Sequence, residues 1–303
     1  MSNFVNPLHS DQFSEDRPNP QKRNILIQRL SRAPWWLLVI LSIVLIFIIT
    51  VQDSRTYQNA WAEVRTGIWT TVWVTVVAYA MALVLGLIFT LLRRPSKSLW
   101  YNMLVYQPTT VIVEFVRGIP TLVFVLYITL AIIPQVVIPG LNSLGVWLLE
   151  NNVTFGNGLA ELTPRDFPNV WRAIIALAIS YSAFLSEIFR AGIESISLGQ
   201  REAAASLGMN GFQTMRYIIL PQAIRNILPP LGNDFIAMLK ESSLVSVVGV
   251  SDITREGQTY AAGAFAMLPT YTLVAFTYLV LTLTLSLLVK GLETWLGRGR
   301  DRS

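Results

Sequence analysis

The chain has 303 residues, of which 53% are hydrophobic and only 14% are charged, and its mean hydropathy is +0.51. This composition is more apolar than that of ordinary soluble domains and predicts a membrane protein. The chain has no cysteine, and its single histidine, His9, lies in a polar N-terminal tail, which excludes disulfide and thiolate chemistry and disfavours a metal site. The net charge of +5 does not favour nucleic-acid binding, because the cations flank apolar segments.

Six stretches are long and apolar enough to cross about 30 Å of hydrocarbon as helices. They predict an all-α membrane protein with six transmembrane helices, at 34–51, 67–92, 118–137, 170–190, 227–250 and within the charge-free region 257–289. The first stretch follows a basic tail, as a signal peptide would. No small-residue cleavage pattern follows it, so a retained anchor is favoured.

Lys and Arg residues are distributed unevenly around the predicted spans. Sixteen of them lie in the segments that share a side with both termini, and four lie on the other side. The positive-inside rule therefore predicts that the tails 1–33 and 291–303 are cytoplasmic. The connection 141–168, which contains many Asn, Gly and Pro residues, is then external, and its apolar patch 146–149 is expected to form a short interfacial helix.

The predicted cytoplasmic loop between the fourth and fifth spans carries signals for two short helices. Ser197 is predicted to cap the first, with Gln200 completing a capping box, and Gly208 to form its C-terminal turn. Asn210 is predicted to cap the second, which is expected to continue until Pro221 interrupts or bends it. These signals predict a compact helix-turn-helix at the membrane surface.

The sequence Glu202-Ala203-Ala204, followed by Gly208 and then by Ile219-Leu220-Pro221, resembles the EAA motif of ABC importer permeases. The resemblance implies that this loop, 191–226, forms a coupling helix in a groove of a separate ATPase, and we call it the coupling loop. Glu202 would offer a carboxylate to a basic partner, the small alanines would permit close approach, and Gly208 would permit the sharp turn. The tripeptide Glu-Ala-Ala alone would more often belong to an ordinary surface helix. The cytoplasmic position of this loop after the fourth span, and the spacing of the motif residues, favour the permease interpretation.

Segments 114–122, 181–196 and 240–246 resemble the histidine, glutamine and glutamate type of permease, the polar amino acid subgroup. This resemblance covers about 65–290 and implies a five-helix type I ABC importer permease core. The span 34–51 and the extended connection 141–168 lie outside the minimal pattern. The function implied is translocation of an amino acid across the bacterial cytoplasmic (inner) membrane.

The resemblance also implies partners. They are a cytoplasmic ABC ATPase dimer, a second permease chain that is identical or a sister, and an external or periplasmic amino-acid-binding protein. The chain itself is expected to bind no cofactor, with ATP and magnesium in the ATPase, because it has no phosphate-binding P-loop motif. A secondary transporter or channel is the main alternative, and a membrane enzyme is a third, although no nucleophile with a histidine base is present.

Polar residues in the predicted fifth span form a candidate substrate path. A zwitterionic amino acid needs cationic or amide donors for its carboxylate, which the chain offers at Asn233, Lys240, Ser242 and Ser243. A structural polar seam between subunits is the alternative interpretation. The same span contains three charged residues, Asp234, Lys240 and Glu241. Each would cost about 2.5–3.5 kcal/mol at a lipid-facing helix centre, so these side chains are expected to face protein, water or an interface.

Backbone and charge signals elsewhere leave further expectations. Pro229-Pro230, with Gly232, are predicted to break the start of the fifth helix. Arg117 is expected to pair with Glu114 or snorkel to the interface, with entry into a polar path as the alternative. A structural ion-pair ladder is expected along one helical face, at Glu187, Arg190 and Glu194.

Overall fold

The computed structural model of the chain describes residues 35–297, and these residues form helices without any β-strand. The chain divides into two compact units, with the boundary between Asp53 and Ser54. The α-helices are α1 (Trp35–Asp53), α2 (Arg55–Val64), α3 (Thr66–Leu92), α4 (Leu99–Tyr101), α5 (Gln107–Gly118), α6 (Thr121–Tyr127), α7 (Ile138–Glu150), α8 (Gly156–Ala160), α9 (Asn169–Glu194), α10 (Leu198–Ser206), α11 (Gly211–Gln213), α12 (Leu220–Glu241), α13 (Ile253–Ala264) and α14 (Met267–Gly297). Three π-helical segments and two 3-10 segments join some of them, at Asn102–Tyr106, Ile128–Val137, Thr214–Ile219, Pro164–Asp166 and Ser242–Val248.

The prediction of an all-α membrane protein is confirmed for the described residues. Four helical stretches are long and apolar enough to cross a membrane, and they overlap the second, third, fourth and sixth predicted spans: Arg55–Leu92, Thr121–Glu150, Asn169–Glu194 and Met267–Thr294. Neither α1 nor α12 is among them, so the predicted count of six spans is not confirmed. The charged residues and prolines of α12 lower its hydropathy, which explains its absence from this set.

Helix α9 is the centre of the larger unit. About 67% of its most apolar 18-residue stretch is buried, whereas the same fraction for α14 is 17%. It packs along α3, where a Cβ atom added to Gly86 would lie 2.9 Å from Leu185 Cβ. Near the end of this contact the Thr90 hydroxyl donates to the Ser186 carbonyl at 3.0 Å. Such small and hydroxyl-bearing residues let two apolar helices approach closely in a lipid environment.

The third span is longer than predicted. The chain stays helical from Thr121 to Glu150, so the predicted end at 137 is wrong. Pro134 lies inside the π-helical segment and Pro139 directly after it, where the irregular hydrogen-bond ladder accommodates residues without an N–H. At about 1.5 Å per residue this helix exceeds the hydrocarbon thickness. The predicted short interfacial helix at 146–149 is therefore the end of this long helix.

Two backbone features bear on the predicted sixth and fifth spans. The sixth span, predicted within 257–289, corresponds to α14, which Phe265, in a left-handed conformation (φ 51°), separates from α13. Helix α12, in contrast, is not broken by Pro229 and Pro230, which both lie inside it. Their missing N–H groups weaken the helical ladder without ending it. The Tyr79 hydroxyl of α3 donates to the Leu231 carbonyl at 2.6 Å and ties α3 to this part of α12.

The predicted tails reach beyond the described residues. Residues 1–34, with His9, and residues 298–303 lie outside the part that the structure describes. Helix α14 continues to Gly297, past the predicted end of the membrane domain at 290.

Candidate functional site

The first short helix of the coupling loop is α10, which contains three of the four predicted coupling residues. Ala204 is buried, whereas Glu202 and Ala203 are exposed. The helix therefore presents one face to the protein and leaves the Glu202 carboxylate accessible. Leu207, which follows the helix, is 81% exposed, so the outward surface combines a carboxylate with an apolar side chain.

The turn after α10 requires a glycine. Gly208 has φ +76°, the left-handed region, and a Cβ atom there would meet no atom within 4 Å. The backbone closes the helix with two bonds, from Gly208 N–H to Ala205 O (2.9 Å) and from Met209 N–H to Ala204 O (3.0 Å). This pattern is a Schellman motif, so the predicted C-terminal turn at Gly208 is confirmed.

The N-terminal caps of the loop were predicted with mixed success. The capping box at Asn210 is present, since its side chain accepts from Gln213 N–H at 2.9 Å and the Gln213 side chain accepts from Asn210 N–H at 2.9 Å. The box predicted between Ser197 and Gln200 is wrong, because the Ser197 hydroxyl makes no cap bond. The Gln200 N–H, which that hydroxyl would have bound, donates instead to the Ser197 carbonyl.

The second half of the loop stays helical up to and beyond Pro221. A π-helical segment, Thr214–Ile219, connects α11 to α12, and Pro221 lies in the first turn of α12. The π-helical segment before Pro221 replaces the regular hydrogen-bond ladder there and accommodates the missing N–H, so the predicted interruption does not occur. The helix-turn-helix of the coupling loop therefore leads directly into the long helix α12.

The coupling loop is fixed to α9 and α12 by close packing. A Cβ atom on Gly192 of α9 would lie 2.1 Å from Ile227 Cγ1 of α12, so these two helices touch where the loop leaves them. The Asn226 side-chain amide donates to the Ser195 hydroxyl at 3.0 Å. A cluster of isoleucines fills the space beneath the loop and includes Ile196 and Ile219, which are 7% and 3% exposed. A displacement of the loop must therefore move the ends of both helices.

Five charged residues form an ion-pair network where α3, α5 and α9 end: Arg93, Glu114, Arg117, Glu187 and Arg190. Arg93, whose side chain is 8% exposed, lies 2.5 Å from Glu187 and 3.3 Å from Glu114. Arg117 approaches Glu114 at 3.6 Å and Glu187 at 3.7 Å, which confirms the predicted pairing with Glu114.

The predicted ladder on α9 is only half present. Glu187 and Arg190 pair at 2.5 Å, but no carboxylate oxygen of Glu194 lies within 4.0 Å of Arg190. Sequence reasoning missed Arg93, the most buried member of the network. Its main partner, Glu187, is 94 residues away in the chain, so no local spacing indicates the contact.

The four candidate path residues do not share one environment. Asn233 and Lys240 are exposed on α12, whereas Ser242 is buried and its hydroxyl donates to the Leu239 carbonyl at 2.8 Å. The Ser243 hydroxyl donates to the Lys240 carbonyl, also at 2.8 Å. Both serine hydroxyls thus donate to backbone carbonyls in the last turn of α12.

Two acidic residues on α12 face the protein interior. Asp234 and Glu241 are partly buried, and each has one carboxylate oxygen that is buried without a hydrogen-bond partner. Both interact electrostatically with Tyr181 of α9. Each directly follows a candidate path residue in the sequence, so the acidic pair and the candidate pair occupy adjoining sides of the helix. In residues 35–297 no group of three or more acidic, histidine or cysteine residues has the arrangement of a metal site.

Comparison with known proteins relates most of the chain to membrane transport proteins. The family described as binding-protein-dependent transport system inner membrane component matches residues 82–301. The chain is 38% identical to the probable amino-acid permease protein YxeN of Bacillus subtilis over 187 residues, which cover 60% of this chain and 70% of that protein. It is 44% identical to the glutamine transport system permease protein GlnP of Escherichia coli over 121 residues, which cover 40% of this chain and 55% of that protein.

A solved structure matches most of the fold. The crystal structure of an amino acid ABC transporter with histidines shares 33% sequence identity with this chain and has a TM-score of 0.63. The match covers 79% of this chain and 96% of the other. The overall arrangement of helices is therefore similar to that of a chain of an amino acid ABC transporter.

Proposed function

Because the chain belongs to the family of binding-protein-dependent transport system inner membrane components, we propose that it carries an amino acid through the inner membrane as an ABC importer permease. The amino-acid substrate is supported by the names of the related permeases and of the solved transporter. The observation that carries the proposal is the coupling loop, with its exposed carboxylate and its rigid attachment to α9 and α12. A permease is a transport component and not itself an enzyme.

The coupling loop is the docking element for a separate ATPase in this proposal. Glu202 offers a carboxylate to a basic group of the partner, and Leu207 and Phe212, which are 81% and 72% exposed, offer apolar contact. The small side chain of Ala203 leaves the helix backbone accessible to the walls of a groove. Gly208 sets the direction of the chain after the helix.

Glu202→Lys tests this docking, with Gln200→Lys on the same exposed helix as the matched control. Uptake of a labelled amino acid and ATPase activity are measured on the reconstituted complex. We expect Glu202→Lys to lower both by about tenfold or more, because a charge-assisted contact becomes a repulsion, and Gln200→Lys to have little effect. Normal uptake and ATPase activity in Glu202→Lys would refute the role of this carboxylate.

The remaining partners follow from the same assignment. They are a cytoplasmic ATPase dimer that holds ATP and magnesium, a second permease chain, identical or a sister, and an external or periplasmic amino-acid-binding protein. Both chain termini lie in the cytoplasm in this proposal, which the asymmetry of Lys and Arg residues supports.

The orientation is tested by single cysteines, since the chain has none of its own. Asn157→Cys lies in the connection proposed to be external, and Ser206→Cys lies at the end of α10. A membrane-impermeant thiol reagent applied to intact cells should label only the first. Labelling of Asn157→Cys only after permeabilisation would reverse the proposed orientation.

Asn233 and Lys240 form the substrate-contacting pair in this proposal, and the buried Ser242 and the engaged Ser243 shape the backbone beside them. The two exposed side chains are seven residues apart, almost two helical turns, so both fit one side of α12. An amide and an ammonium group are suitable donors for a substrate carboxylate.

Uptake per assembled complex in Lys240→Met and Asn233→Ala tests the pair. Lys240→Met keeps length and apolar packing while it removes the charge, so assembly is expected to survive and uptake to fall. If assembly fails first, the pair belongs to a structural seam between subunits. Unchanged uptake per complex would remove both residues from the path.

A further inference from the structure

A cavity of about 290 Å³ lies between the coupling loop and the ends of two membrane helices. Its walls include Arg93 and Arg94, which follow α3, Arg190 and Glu194 at the end of α9, and Arg201 of α10. We call it the arginine cavity. Four cations and one carboxylate line it, so its surroundings attract an anion.

Two of these guanidinium groups have no carboxylate partner. Arg93 and Arg190 pair with Glu187, but neither Arg94 nor Arg201 has a carboxylate oxygen within 4.0 Å in the described part of the chain. The Nε atom of Arg201 is also buried and makes no hydrogen bond. An unsatisfied buried donor on a charged group is costly, and an anion in the cavity would satisfy it.

The direction of Arg201 distinguishes this cavity from the docking surface of the coupling loop. Arg201 precedes the buried Ala204 by three residues, so the two share the face of α10 that is turned toward the protein. Glu202 and Ala203 lie on the exposed part of the helix. Arg201 therefore lies on a different face of α10 from the one proposed to contact the ATPase.

The neighbourhood of the cavity has the character of a membrane interface. Leu92 and Glu194 end two of the candidate membrane spans, so the cavity lies at the level where apolar helix gives way to charge. The Tyr101 hydroxyl donates to the Leu92 carbonyl and holds α4 against this end of α3. Beside it Trp100 is 74% exposed, as expected of an indole at the headgroup level.

We propose that the arginine cavity binds the phosphate of an anionic phospholipid from the cytoplasmic leaflet. The guanidinium fork matches phosphate oxygens in bidentate geometry, and basic pockets between membrane helices on this side bind anionic headgroups. The bound headgroup connects Arg201 of the coupling loop to Arg94 at the end of α3. The choice of leaflet rests on the orientation given under the proposed function.

The test is lipid retention by the purified permease–ATPase complex, measured by native mass spectrometry after exchange into detergent with phosphatidylglycerol or phosphatidylcholine. Retention requires neither ATP nor transport, so its failure is distinguishable from failure of the proposed function. We expect selective retention of phosphatidylglycerol, weakened on the order of tenfold by Arg201→Gln and by Arg94→Gln. Arg216→Gln, on the same loop but outside the cavity, is the matched control and should retain lipid normally.

Several outcomes would overturn the proposal. Equal retention of both lipids, or equal loss in Arg216→Gln, would indicate diffuse surface charge. Competition by inorganic phosphate without any retained lipid would identify a soluble anion as the occupant. If Arg201→Gln separates the ATPase from the permease while lipid retention is unchanged, the cation serves an acidic group of the partner. If the complex with Arg201→Gln does not assemble, the test rests on Arg94→Gln, whose side chain is exposed. Retention of phosphatidylglycerol at the wild-type level in Arg94→Gln would then refute the site.

Discussion

Replacing Gly208 by alanine perturbs the coupling loop through the backbone alone. A Cβ atom at this position would meet nothing within 4 Å, so no clash contributes. The left-handed conformation at φ +76° costs a residue with a side chain roughly 1–2 kcal/mol. A change of this size multiplies the population of an opened turn about 5- to 30-fold.

Amide hydrogen exchange on the purified complex measures this opening directly. The Gly208 and Met209 N–H groups bond to Ala205 and Ala204 carbonyls, so in Gly208→Ala the two amides at positions 208 and 209 should exchange about 5- to 30-fold faster. Uptake should fall in parallel, because a loosened turn no longer holds the docking helix in one direction. Gly208→Asn should have a smaller effect, since asparagine tolerates this conformation better.

Two other glycines of the loop provide the controls. Gly199 and Gly211 also face open space, but neither has a positive φ. Gly199→Ala and Gly211→Ala should leave exchange at the turn unchanged. The reasoning is refuted if Gly208→Ala exchanges at the wild-type rate, or if the two controls accelerate exchange as much as it does.

Three further predictions concern stability, each measured as the melting temperature of the purified complex. Burial raises the pKa of Asp252 from its usual 3.8 to about 6. The protonated group therefore contributes stability that is complete only below pH 3.8 and is lost as the pH rises from there through about 6, and Asp252→Asn should abolish this pH dependence. Glu187→Gln should destabilise the protein by about 1–3 kcal/mol, and by more than Glu114→Gln, because the Glu187 side chain is 20% exposed and that of Glu114 is 56% exposed. Equal losses of stability in the two variants would contradict this argument from burial. A Cβ atom on Gly67 would lie 2.4 Å from the Asp252 backbone, so Gly67→Ala should cost about 1–3 kcal/mol, whereas Gly140→Ala, in open space, should be neutral.

The long apolar helices and the turn at Gly208 were predictable because their signals are local. A long uncharged run indicates a membrane helix by its composition alone. A glycine directly after the short helix 198–206 indicates a Schellman turn, because glycine readily adopts the left-handed conformation that this turn needs. The cap at Asn210 follows the same logic, since its partner Gln213 is three residues away. Each of these features depends on residues within one or two turns of each other.

The features that sequence reasoning missed depend on contacts between segments that are distant in the sequence. Pro229 and Pro230 remain inside a helix because α12 is held by packing, including the bond from Tyr79. Nothing near Arg93 in the sequence indicates Glu187 as its partner. The inward direction of Arg201, one residue before the outward Glu202, becomes visible only when α10 is seated on the protein.

The attachment of the coupling loop predicts that a displacement at its surface also moves α9 and α12. Gly192 and Ile227 are in contact below the loop, so α9 and α12 cannot slide independently where the loop joins them. Helix α12 continues to Asp234 and Glu241, and both carboxylates interact with Tyr181 of α9. Because packed helices transmit displacement with little compression, we expect a shift of α10 to change the distances from Tyr181 to these two carboxylates. We therefore expect the same two helices to link the proposed ATPase-docking surface to the proposed substrate path.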